Sequence, residues 1–451
     1  MIDSLKNKKI TVLGAARSGI AAAMMLKELG ARVYVSDSAP LCSKQEQAAE
    51  LGRNGIAFEF GRHTKRIYDT DFVVLSPGIP VRSETVQKFL QKGIPVYSEI
   101  EVASWFCRAP LIAVTGSNGK TTTTTLIGEM LKAHFPRPIV AGNIGQPFSA
   151  YVLQSVADSP VVVEVSSFQL ETIDRFHPQI AVVLNFAPNH LDRYDSYEDY
   201  LKAKWRITMN LEQNDLLVYN GNDKRLSGWS EQISSRKQAF YIRTHAGAAA
   251  WYDGRALYSN EGKLVDVSDM PLKGPHNYMN ALAAVLAARA VGVPTDAIVR
   301  VLRTFTGIEH RLEPVAEIDG VHYINDSKAT TVEALAVALQ SFNAPIILIA
   351  GGKDKGSDFS KLNNLIKQHV KECILIGAAT EKMAQAWQGL TKIHKADSLE
   401  NAVLHARQSA VTDDVVLLSP ACASFDMFND FEDRGRQFKS LVKKLIGNNN
   451  S

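Results

Sequence analysis

The middle of the chain contains the run Leu111-Ile-Ala-Val-Thr-Gly-Ser-Asn-Gly-Lys-Thr-Thr-Thr123, in which a buried strand, a glycine-containing turn and a helix start follow one another. Gly116 and Gly119 allow backbone N–H groups to approach phosphate oxygens closely. Lys120 supplies a positive charge, and Thr121 offers a hydroxyl to Mg²⁺ at the helix N-terminus. The run therefore predicts a binding site for a nucleoside triphosphate.

The spacing of this loop is shorter than that of a standard Walker A motif. It is G-x-x-G-K-T, because Val114 stands where the longer motif has its first glycine. A chance Gly-Lys-Thr in an ordinary turn is the alternative. The apolar strand before the turn and the helical pattern after it favour the phosphate loop.

The bulk properties indicate an ordinary globular protein of several domains. With 451 residues, the chain is too long for one core, and about three domains are expected. The apolar content is 45%, and the net charge of +3 comes from dispersed Lys and Arg, so no basic surface for nucleic acid is predicted.

The amino-terminal segment and the cysteines indicate the compartment. Residues 1–9 lead directly into a strand without an apolar signal region, and no long apolar run follows, so we expect a cytoplasmic protein without membrane insertion. The four cysteines are scattered without a C-x-x-C pair, which predicts buried, reduced thiols.

The amino-terminal part has the order strand, turn, helix, strand that opens a doubly wound sheet. Strands are predicted at 9–14 and 32–36, with a helix over 18–29, and the second strand ends at Asp37. NAD binding is the obvious suggestion, but Ala16 occupies the place of the glycine that touches a pyrophosphate. Another strand, 72–76, leads into the turn Pro77-Gly-Ile-Pro80.

Two further buried strands of the central part end at chemically active residues. Val161-Val-Val-Glu-Val-Ser-Ser167 places Glu164 where its carboxylate could reach the Mg²⁺ held by Thr121. The run 180–185 opens into a loop that carries His190 at the same sheet edge. Residues 211–272 are predicted to be rich in strands, and an alanine-rich helix is predicted over 281–290.

The carboxyl-terminal part predicts a second doubly wound domain. Strands are expected around 321–325, 345–350, 372–376 and 415–419. Several of them end in polar segments, and open sheets bind ligands beyond the carboxyl ends of their strands. These segments are Asn325-Asp-Ser-Lys-Ala-Thr330, Gly351-Gly-Lys-Asp-Lys355 and Ser419-Pro-Ala-Cys-Ala-Ser-Phe425.

Taken together, these motifs resemble the Mur ligases, the ATP-dependent enzymes that add amino acids during peptidoglycan synthesis. The phosphate loop is shared with all Mur ligases and with folylpolyglutamate synthases, so alone it indicates only the superfamily. Other motifs look like the D-glutamate-adding members, and the resemblance covers essentially the whole chain. They are Gly142-Asn-Ile-Gly145, Glu164-Val-Ser-Ser-Phe-Gln-Leu170, His190-Leu-Asp-Arg193, Asn325-Asp-Ser-Lys-Ala-Thr330 and Leu418-Ser-Pro-Ala-Cys-Ala-Ser-Phe425.

The resemblance implies an α/β protein of three domains. These are a Rossmann-like UDP-substrate domain over 1–98, a central P-loop mononucleotide-binding domain over 99–305, and a Rossmann-like amino-acid-binding domain over 306–451. It implies an ATP-dependent ligase that adds D-glutamate to UDP-N-acetylmuramoyl-L-alanine through an acyl phosphate, with release of ADP and phosphate. A monomer is expected.

The resemblance also assigns roles to individual positions. The ATP contacts would be Gly116, Ser117, Asn118, Gly119, Lys120, Thr121, Thr122, Asn277, Asn280, Arg311 and Asp326. The UDP-substrate contacts would be Ser18, Asp37, Ser38, Ser76, Pro77, Gly78 and Asn143. The D-glutamate contacts would be Thr330, Lys355, Ser424, Phe425 and Phe431. The catalytic set would be Lys120, Glu164, His190 and Lys204, and the magnesium ligands Thr121, Glu164, His190 and Lys204.

Lys204 matches the lysine that the family carbamylates to make a metal ligand, so a carbamylated Lys204 is expected. The chain departs from the family pattern at a few positions. Asn189 and Thr331 stand where aspartate and asparagine are expected, and Ala39 stands where some relatives carry an arginine against the uracil.

Other classes of protein remain open from the residues alone. Another Mur ligase or a folylpolyglutamate-synthase-like ligase would share the loop and the reaction, although the latter does not need the amino-terminal doubly wound domain. A nicotinamide dehydrogenase would need the missing glycine. A regulatory nucleotide-binding module would not need Glu164, His190 and the polar strand ends together.

Overall fold

The computed structural model describes residues 5–143, 145–187, 193–342, 344–354 and 356–447. The chain folds as two compact units, Met1–Phe305 and Thr306–Ser451. Its described residues form three β-sheets with helices, which confirms the predicted α/β class. The first unit contains both residues 1–98 and 99–305, and the three domain limits stay predictions.

The amino-terminal sheet is parallel throughout, in the order β3-β2-β1-β4-β5. Its apolar strands β1 and β4 lie side by side at the centre, so the polar segments that follow them meet at one edge. The elements are β1 (Lys9–Leu13), α1 (Arg17–Glu28), β2 (Arg32–Asp37), α2 (Gln45–Arg53), β3 (Ala57–Phe60), β4 (Phe72–Leu75), α3 (Glu84–Gln91), β5 (Val96–Ser98) and α4 (Glu99–Ser104).

The central sheet has the order β14-β13-β12-β11-β10-β9-β6-β8-β7. It is parallel from β7 to β12, and β12, β13 and β14 pair antiparallel. The strands are β6 (Leu111–Thr115), β7 (Ile139–Gly142), β8 (Val161–Glu164), β9 (Ile180–Val183), β10 (Leu216–Asn220), β11 (Arg236–Tyr241), β12 (Ala250–Tyr252), β13 (Ala256–Ser259) and β14 (Gly262–Asp266). The last of these strands confirm the strand-rich prediction for 211–272.

The helices of this part cover the two faces of the central sheet. They are α5 (Lys120–Lys132), α6 (Ser167–Leu170), α7 (Tyr197–Trp205), α8 (Lys224–Ser230), α9 (Pro275–Ala290) and α10 (Thr295–Thr304). The alanine-rich helix α9 begins earlier than the predicted 281–290, because Pro275 occupies its first turn, where a missing N–H costs nothing. Helix α9 packs on α5, the helix that follows the phosphate loop.

The second unit holds a sheet in the order β15-β16-β20-β17-β18-β19, parallel except for the β15–β16 pair. Its strands are β15 (Glu313–Ile318), β16 (Val321–Asn325), β17 (Ile346–Gly351), β18 (Val370–Ile376), β19 (Lys392–Lys395) and β20 (Val415–Leu418). Its helices are α11 (Val332–Leu339), α12 (Asn363–His369), α13 (Thr380–Trp387), α14 (Leu399–Ser409) and α15 (Phe431–Gly447).

The thiols correct one expectation. Cys373 and Cys422 are buried, but Cys107 is half-buried and Cys42 is exposed, because Cys42 lies in a short surface turn after β2. None of the helices among the described residues combines the length and apolar character required to span a bilayer.

The start of α4 is fixed to the central sheet by a buried carboxylate. Glu101 accepts hydrogen bonds from the backbone N–H groups of Asp174, Arg175 and Phe176 at 2.8–3.0 Å. It also accepts one from the Trp105 indole at 2.6 Å. The residues that join the two sheets of the first unit are therefore held by charge-assisted hydrogen bonds in the interior.

We predict that Glu101→Gln lowers the free energy of unfolding by about 2–4 kcal/mol, because an amide NH₂ would face backbone donors that the carboxylate now satisfies. Urea denaturation of the full chain measures the change. The matched control is Glu129→Gln, at an exposed pair with Lys132, for which a change within about 0.5 kcal/mol is expected. Equal effects of the two substitutions would contradict this role for Glu101.

Candidate active site

The phosphate loop connects β6 to α5 through two glycines with positive φ. Gly116 has φ +155° and Gly119 has φ +81°, and Gly119 immediately precedes Lys120, the first residue of α5. A Cβ atom on Gly119 would collide with the side chain of Asn280, which comes from α9. Glycine is therefore required both by the backbone and by the approach of Asn280.

The loop is held in place by side chains that the sequence analysis did not single out. The side chain of Asn185 accepts a hydrogen bond from Asn118 N at 2.9 Å and donates one to Asn118 O at 3.1 Å. The backbone oxygen of Asn185 accepts a hydrogen bond from Ser117 N. Ser117 Oγ exchanges hydrogen bonds with Ala187 and accepts one from the Tyr200 hydroxyl at 3.0 Å. These contacts fix the loop before any ligand arrives.

The lysine of the loop lies beside the N-terminus of α5. Lys120 Nζ donates to Gly116 O at 2.9 Å and to Ser117 O at 3.1 Å, so its ammonium is folded over the loop. Thr121 is buried in the first turn of α5, and Thr122 is half-buried. A helix N-terminus with an ammonium beside it attracts phosphate.

A carboxylate stands at the end of the neighbouring strand β8. Glu164 is 2% exposed, and its Oε1 accepts from Asn143 Nδ2 at 2.7 Å. Asn143 N donates to Glu164 O at 2.9 Å, and Gly142 leaves no room there for a Cβ. Glu164 Oε2 is buried and has no hydrogen-bond partner among the described residues. A buried carboxylate oxygen without a donor suits a cation.

Lys204 projects from α7 into the same interior. It is 2% exposed, its Nζ lies 4.7 Å from the centre of the Tyr200 ring, and no carboxylate of the described residues lies within ion-pair distance. Burial lowers the pKa of Lys204 well below its usual value, the Lys120 charge lowers it further, and Glu164 opposes both. Loss of the proton is thus easier for Lys204 than for an exposed lysine.

Asn277 and Asn280, which were predicted to contact the nucleotide, both lie in α9. In α9, Asn277 donates to Lys273 O at 2.8 Å and accepts from Asn280 at 3.5 Å. His190 lies outside the described residues, as does Lys355 of the predicted amino-acid site. Within the described ranges, no group of three or more His, Cys, Asp or Glu side chains is arranged to hold a metal.

The amino-terminal crevice is built from tight contacts between its loops. Ser76 Oγ donates to Gly14 O at 3.0 Å, and a Cβ on Gly19 would collide with the same carbonyl. Ser76 is therefore buried beneath the loop, whereas Ser38 and Gly78 are exposed and Ser18 and Pro77 are half-buried.

Asp37 organises this loop from the end of β2. Its two oxygens accept from the N–H groups of Ala15 and Ala39 at 2.7 and 2.8 Å. Burial raises the pKa of Asp37, but these N–H groups and the Lys44 ammonium outweigh it, and the pKa is lowered. Asp37 is thus an ionised support of the loop backbone.

In the second unit, Asp326 follows β16 and is buried. Its oxygens accept from Ser419 Oγ at 2.8 Å and from Leu312 N at 3.2 Å. Burial raises its pKa to about 7, although these donors and the Arg311 charge act in the opposite direction. Arg311 itself is exposed.

The other predicted residues of this unit lie in the segments after β16 and β20 and at the start of α15. Ser424 is buried, Thr330 and Phe431 are half-buried, and Phe425 is 65% exposed. The sequence analysis missed Arg434, which is fully buried and donates to Ser327 Oγ, Ser327 O and Cys422 O at 2.9–3.2 Å. It joins the segments that follow β16 and β20, and only its place in a charged helix could have suggested it.

Comparison with known families covers the chain in three consecutive segments. The MurD N-terminal domain matches residues 9–85, the Mur ligase middle domain matches residues 114–288, and the Mur ligase glutamate ligase domain matches residues 310–422. In fold, the structure is similar to UDP-N-acetylmuramate-alanine ligase from Thermotoga maritima, with a TM-score of 0.60 and 20% identity over 97% of this chain and 100% of that chain. The order of domains and the phosphate-loop site define a Mur ligase.

Individual relatives give the finer assignment. The chain is 42% identical to the UDP-N-acetylmuramoylalanine–D-glutamate ligase of Salinibacter ruber, over 98% of this chain and 99% of the relative. It is also 42% identical to that of Chlorobium phaeobacteroides, over 97% of this chain and 98% of the relative. The chain belongs to the UDP-N-acetylmuramoylalanine–D-glutamate ligase family.

The raised pKa of Asp326 predicts a pH-dependent stability. In the unfolded chain an aspartate loses its proton near pH 4, whereas folded Asp326 keeps it until about pH 7. The free energy of unfolding should therefore fall as the pH rises from about 4 to about 7, and this contribution should level off above pH 7. Asp326→Asn should flatten that slope, because an amide does not titrate in this pH range. The amide can still accept a hydrogen bond from Leu312 N and donate one to Ser419 Oγ.

Urea denaturation of the full chain between pH 4.5 and pH 8 measures the slope. Asp397→Asn, at an exposed position of the same unit, is the control and should keep the wild-type slope. An Asp326→Asn variant with the wild-type slope would show that this carboxyl ionises in its ordinary range.

Proposed function

We propose that the protein catalyses the ATP-dependent addition of D-glutamate to UDP-N-acetylmuramoyl-L-alanine, a step in peptidoglycan precursor synthesis. One observation carries this proposal: in a member of this ligase family, a phosphate loop is accompanied by two buried ionisable groups that form no ion pair among the described residues. These are Glu164, with one oxygen unpartnered, and Lys204, without an ion-pair partner among the described residues.

ATP would bind with its phosphates on the loop. The Lys120 ammonium and the start of α5 would provide the positive potential, whereas the N–H groups of Ser117 and Asn118 already donate to Asn185. Asn277 and Asn280 would lie near the nucleotide, and Arg311 and Asp326 would contact phosphate and ribose.

The donor set also fits magnesium. Thr121 and Glu164 would provide oxygen ligands, and His190 and a modified Lys204 would complete the proposed set. Glu164 Oε2 has no hydrogen-bond partner among the described residues. When bound, Mg²⁺ neutralises negative charge on the phosphates. The Lys204 ammonium could not itself be a ligand, so the fit requires its conversion to an anion.

The reaction follows from the poor electrophilicity of a carboxylate. The L-alanyl carboxylate attacks the γ-phosphorus, an oxygen–phosphorus bond forms, and ADP leaves. Lys120 stabilises the charge that develops on the transferred group. The D-glutamate amine then attacks the acyl carbon and loses a proton, and phosphate departs as the carbon–oxygen bond breaks. Exclusion of water protects the acyl phosphate.

The substrates would be held by the residues at the strand ends. The UDP group would lie along Ser18, Asp37, Ser38 and the turn 76–78. Of these, Asp37 and Ser76 would act by supporting the loop backbone. Asn143 would lie near the sugar-peptide part of the substrate. Thr330, Lys355, Ser424, Phe425 and Phe431 would receive D-glutamate. We propose that the protein acts in the cytoplasm, where ATP is available, and as a monomer.

The acceptor amino acid tests this function. Purified protein with ATP, Mg²⁺ and UDP-N-acetylmuramoyl-L-alanine should release phosphate with D-glutamate far faster than with L-lysine, diaminopimelate or L-alanine. Lys120→Ala should reduce the rate on the order of 100-fold or more, because one charge at the transferred phosphate is lost while the loop remains. Faster turnover with another amino acid would make the substrate assignment wrong, and near-normal turnover of Lys120→Ala would contradict the phosphate-loop assignment.

The proposed carbamylation of Lys204 is supported by its burial without an ion-pair partner among the described residues. The neutral amine attacks CO₂, a nitrogen–carbon bond forms, and the nitrogen proton is released, which leaves an anionic carbamate. An ammonium cannot react, so the environment that favours the neutral amine also favours this modification.

We predict a carbamate carbon signal in ¹³C NMR of the protein equilibrated with ¹³C-bicarbonate near neutral pH. Lys204→Arg should lack this signal, whereas Lys202→Arg, on the exposed face of the same helix, should retain it. Acidification should erase the signal by protonating the amine. A signal that survives in Lys204→Arg would assign the carbamate to another lysine.

A further inference from the structure

Arg193 joins two segments that belong to different parts of the proposed site. It closes the motif His190-Leu-Asp-Arg193, and its Nη2 donates to Pro77 O at 2.8 Å. Its guanidinium carbon lies 3.8 Å from the centre of the Phe168 ring. One half-buried side chain thus contacts both the turn after β4 and the start of α6.

On one side, Arg193 holds the turn that would receive the UDP group. Pro77 lies between Ser76, whose hydroxyl is bonded to Gly14 O, and the exposed Gly78. Since the Pro77 carbonyl is directed to Arg193, the position of the turn depends on where the guanidinium is held.

On the other side, Phe168 leads by direct contacts to the phosphate loop. Its ring stacks on Tyr194 at 5.9 Å between centres with an angle of 14°, and Tyr194 meets Tyr200 edge-on at 5.4 Å. The Tyr200 hydroxyl donates to Ser117 Oγ at 3.0 Å. A continuous path of packed side chains therefore runs from Pro77 to the loop.

The two contacts of Arg193 require the shape of a guanidinium. Its planar group can lie flat on Phe168 while an N–H at its edge donates to the Pro77 carbonyl. A lysine ammonium has the same charge but is not planar. It can therefore contact either the Phe168 ring or the Pro77 carbonyl, but it cannot hold the two in the same relative position.

We infer that Arg193 is a positioning residue that fixes the UDP-binding turn relative to the phosphate loop, so that the carboxylate of the UDP-linked substrate meets the γ-phosphate. This inference rests on the proposed function for the identity of the ligands. The UDP group fixes one end of the substrate, and reaction occurs at the other. A small displacement of the turn therefore changes the reacting distance more than the affinity.

The test combines turnover with binding in the full chain. Arg193→Lys should reduce kcat about tenfold or more at saturating substrates, because misplacement raises the barrier without removing a group that touches them. The dissociation constant of UDP-N-acetylmuramoyl-L-alanine without nucleotide, measured by calorimetry, should stay within about threefold of wild type. Phe168→Leu should give the same pattern, and the double variant should lose little more than either single variant.

The matched control is Asp195→Asn, which removes the exposed ion pair with Arg82 between the same two segments. It should leave kcat and affinity within twofold of wild type, since exposed pairs contribute little. Thermal unfolding of each variant establishes that it is folded. Wild-type kcat in both Arg193→Lys and Phe168→Leu, or weakened binding with unchanged kcat, would overturn the inference.

The effect of one ligand on the binding of the other tests this inference separately from the proposed function. A non-hydrolysable ATP analogue with Mg²⁺ should tighten binding of the UDP-linked substrate to wild-type protein, and the factor should shrink toward one in Arg193→Lys. A wild-type factor of one, or an unchanged factor in the variant, would contradict the role of Arg193. If wild-type protein instead adds no D-glutamate, the proposed function fails, and this linkage still tests the positioning role.

Discussion

The buried carboxylate of Glu164 is the group around which the central part of the site is organised. Asn143 satisfies one of its oxygens and the other is buried without a donor, which is costly unless a cation completes the arrangement. Burial and the Lys120 charge lower the pKa of the nearby Lys204 amine, against the opposing effect of Glu164, so this amine is a weak source of the missing charge. A cation bound at Glu164 Oε2 would therefore relieve an imbalance already present in the folded chain.

Most of the fold could be predicted from the sequence because its central strands are buried on both faces. Such strands are continuous apolar runs followed by glycine or polar residues, as in 111–115 and 161–164. The strands that the sequence analysis missed lie toward sheet edges or are short. Ala57–Phe60 is nowhere fully buried, and Lys392–Lys395 has an exposed lysine at each end and two partly buried residues between them. Neither has the uninterrupted apolar run that identifies a central strand, so only pairing with a neighbour defines it.

The site residues that belong to local sequence motifs could be predicted. Those whose role depends on contacts with residues remote in the sequence could not. The phosphate loop and the position of Glu164 at a strand end follow from local pattern. The environment of Lys204 does not, because an isolated lysine on a helix is ordinarily exposed, and its burial depends on how α7 packs. Asn185 and Arg193 lie in runs that the sequence analysis quoted, but their roles could not be predicted, since the groups they bind are remote in sequence.

The shortened phosphate loop explains why its supports come from elsewhere in the fold. A loop without the first glycine of the longer motif has fewer residues with which to hold itself in a binding conformation, since Val114 remains part of the buried strand β6. Asn185 and Tyr200 supply what the loop lacks by bonding its backbone and Ser117. Tyr200 also lies against the buried Lys204 and ends the path from Arg193. The same ring therefore serves the loop, the buried amine and the connection to the UDP-binding turn, so the geometry of phosphate binding depends on the packing of α7.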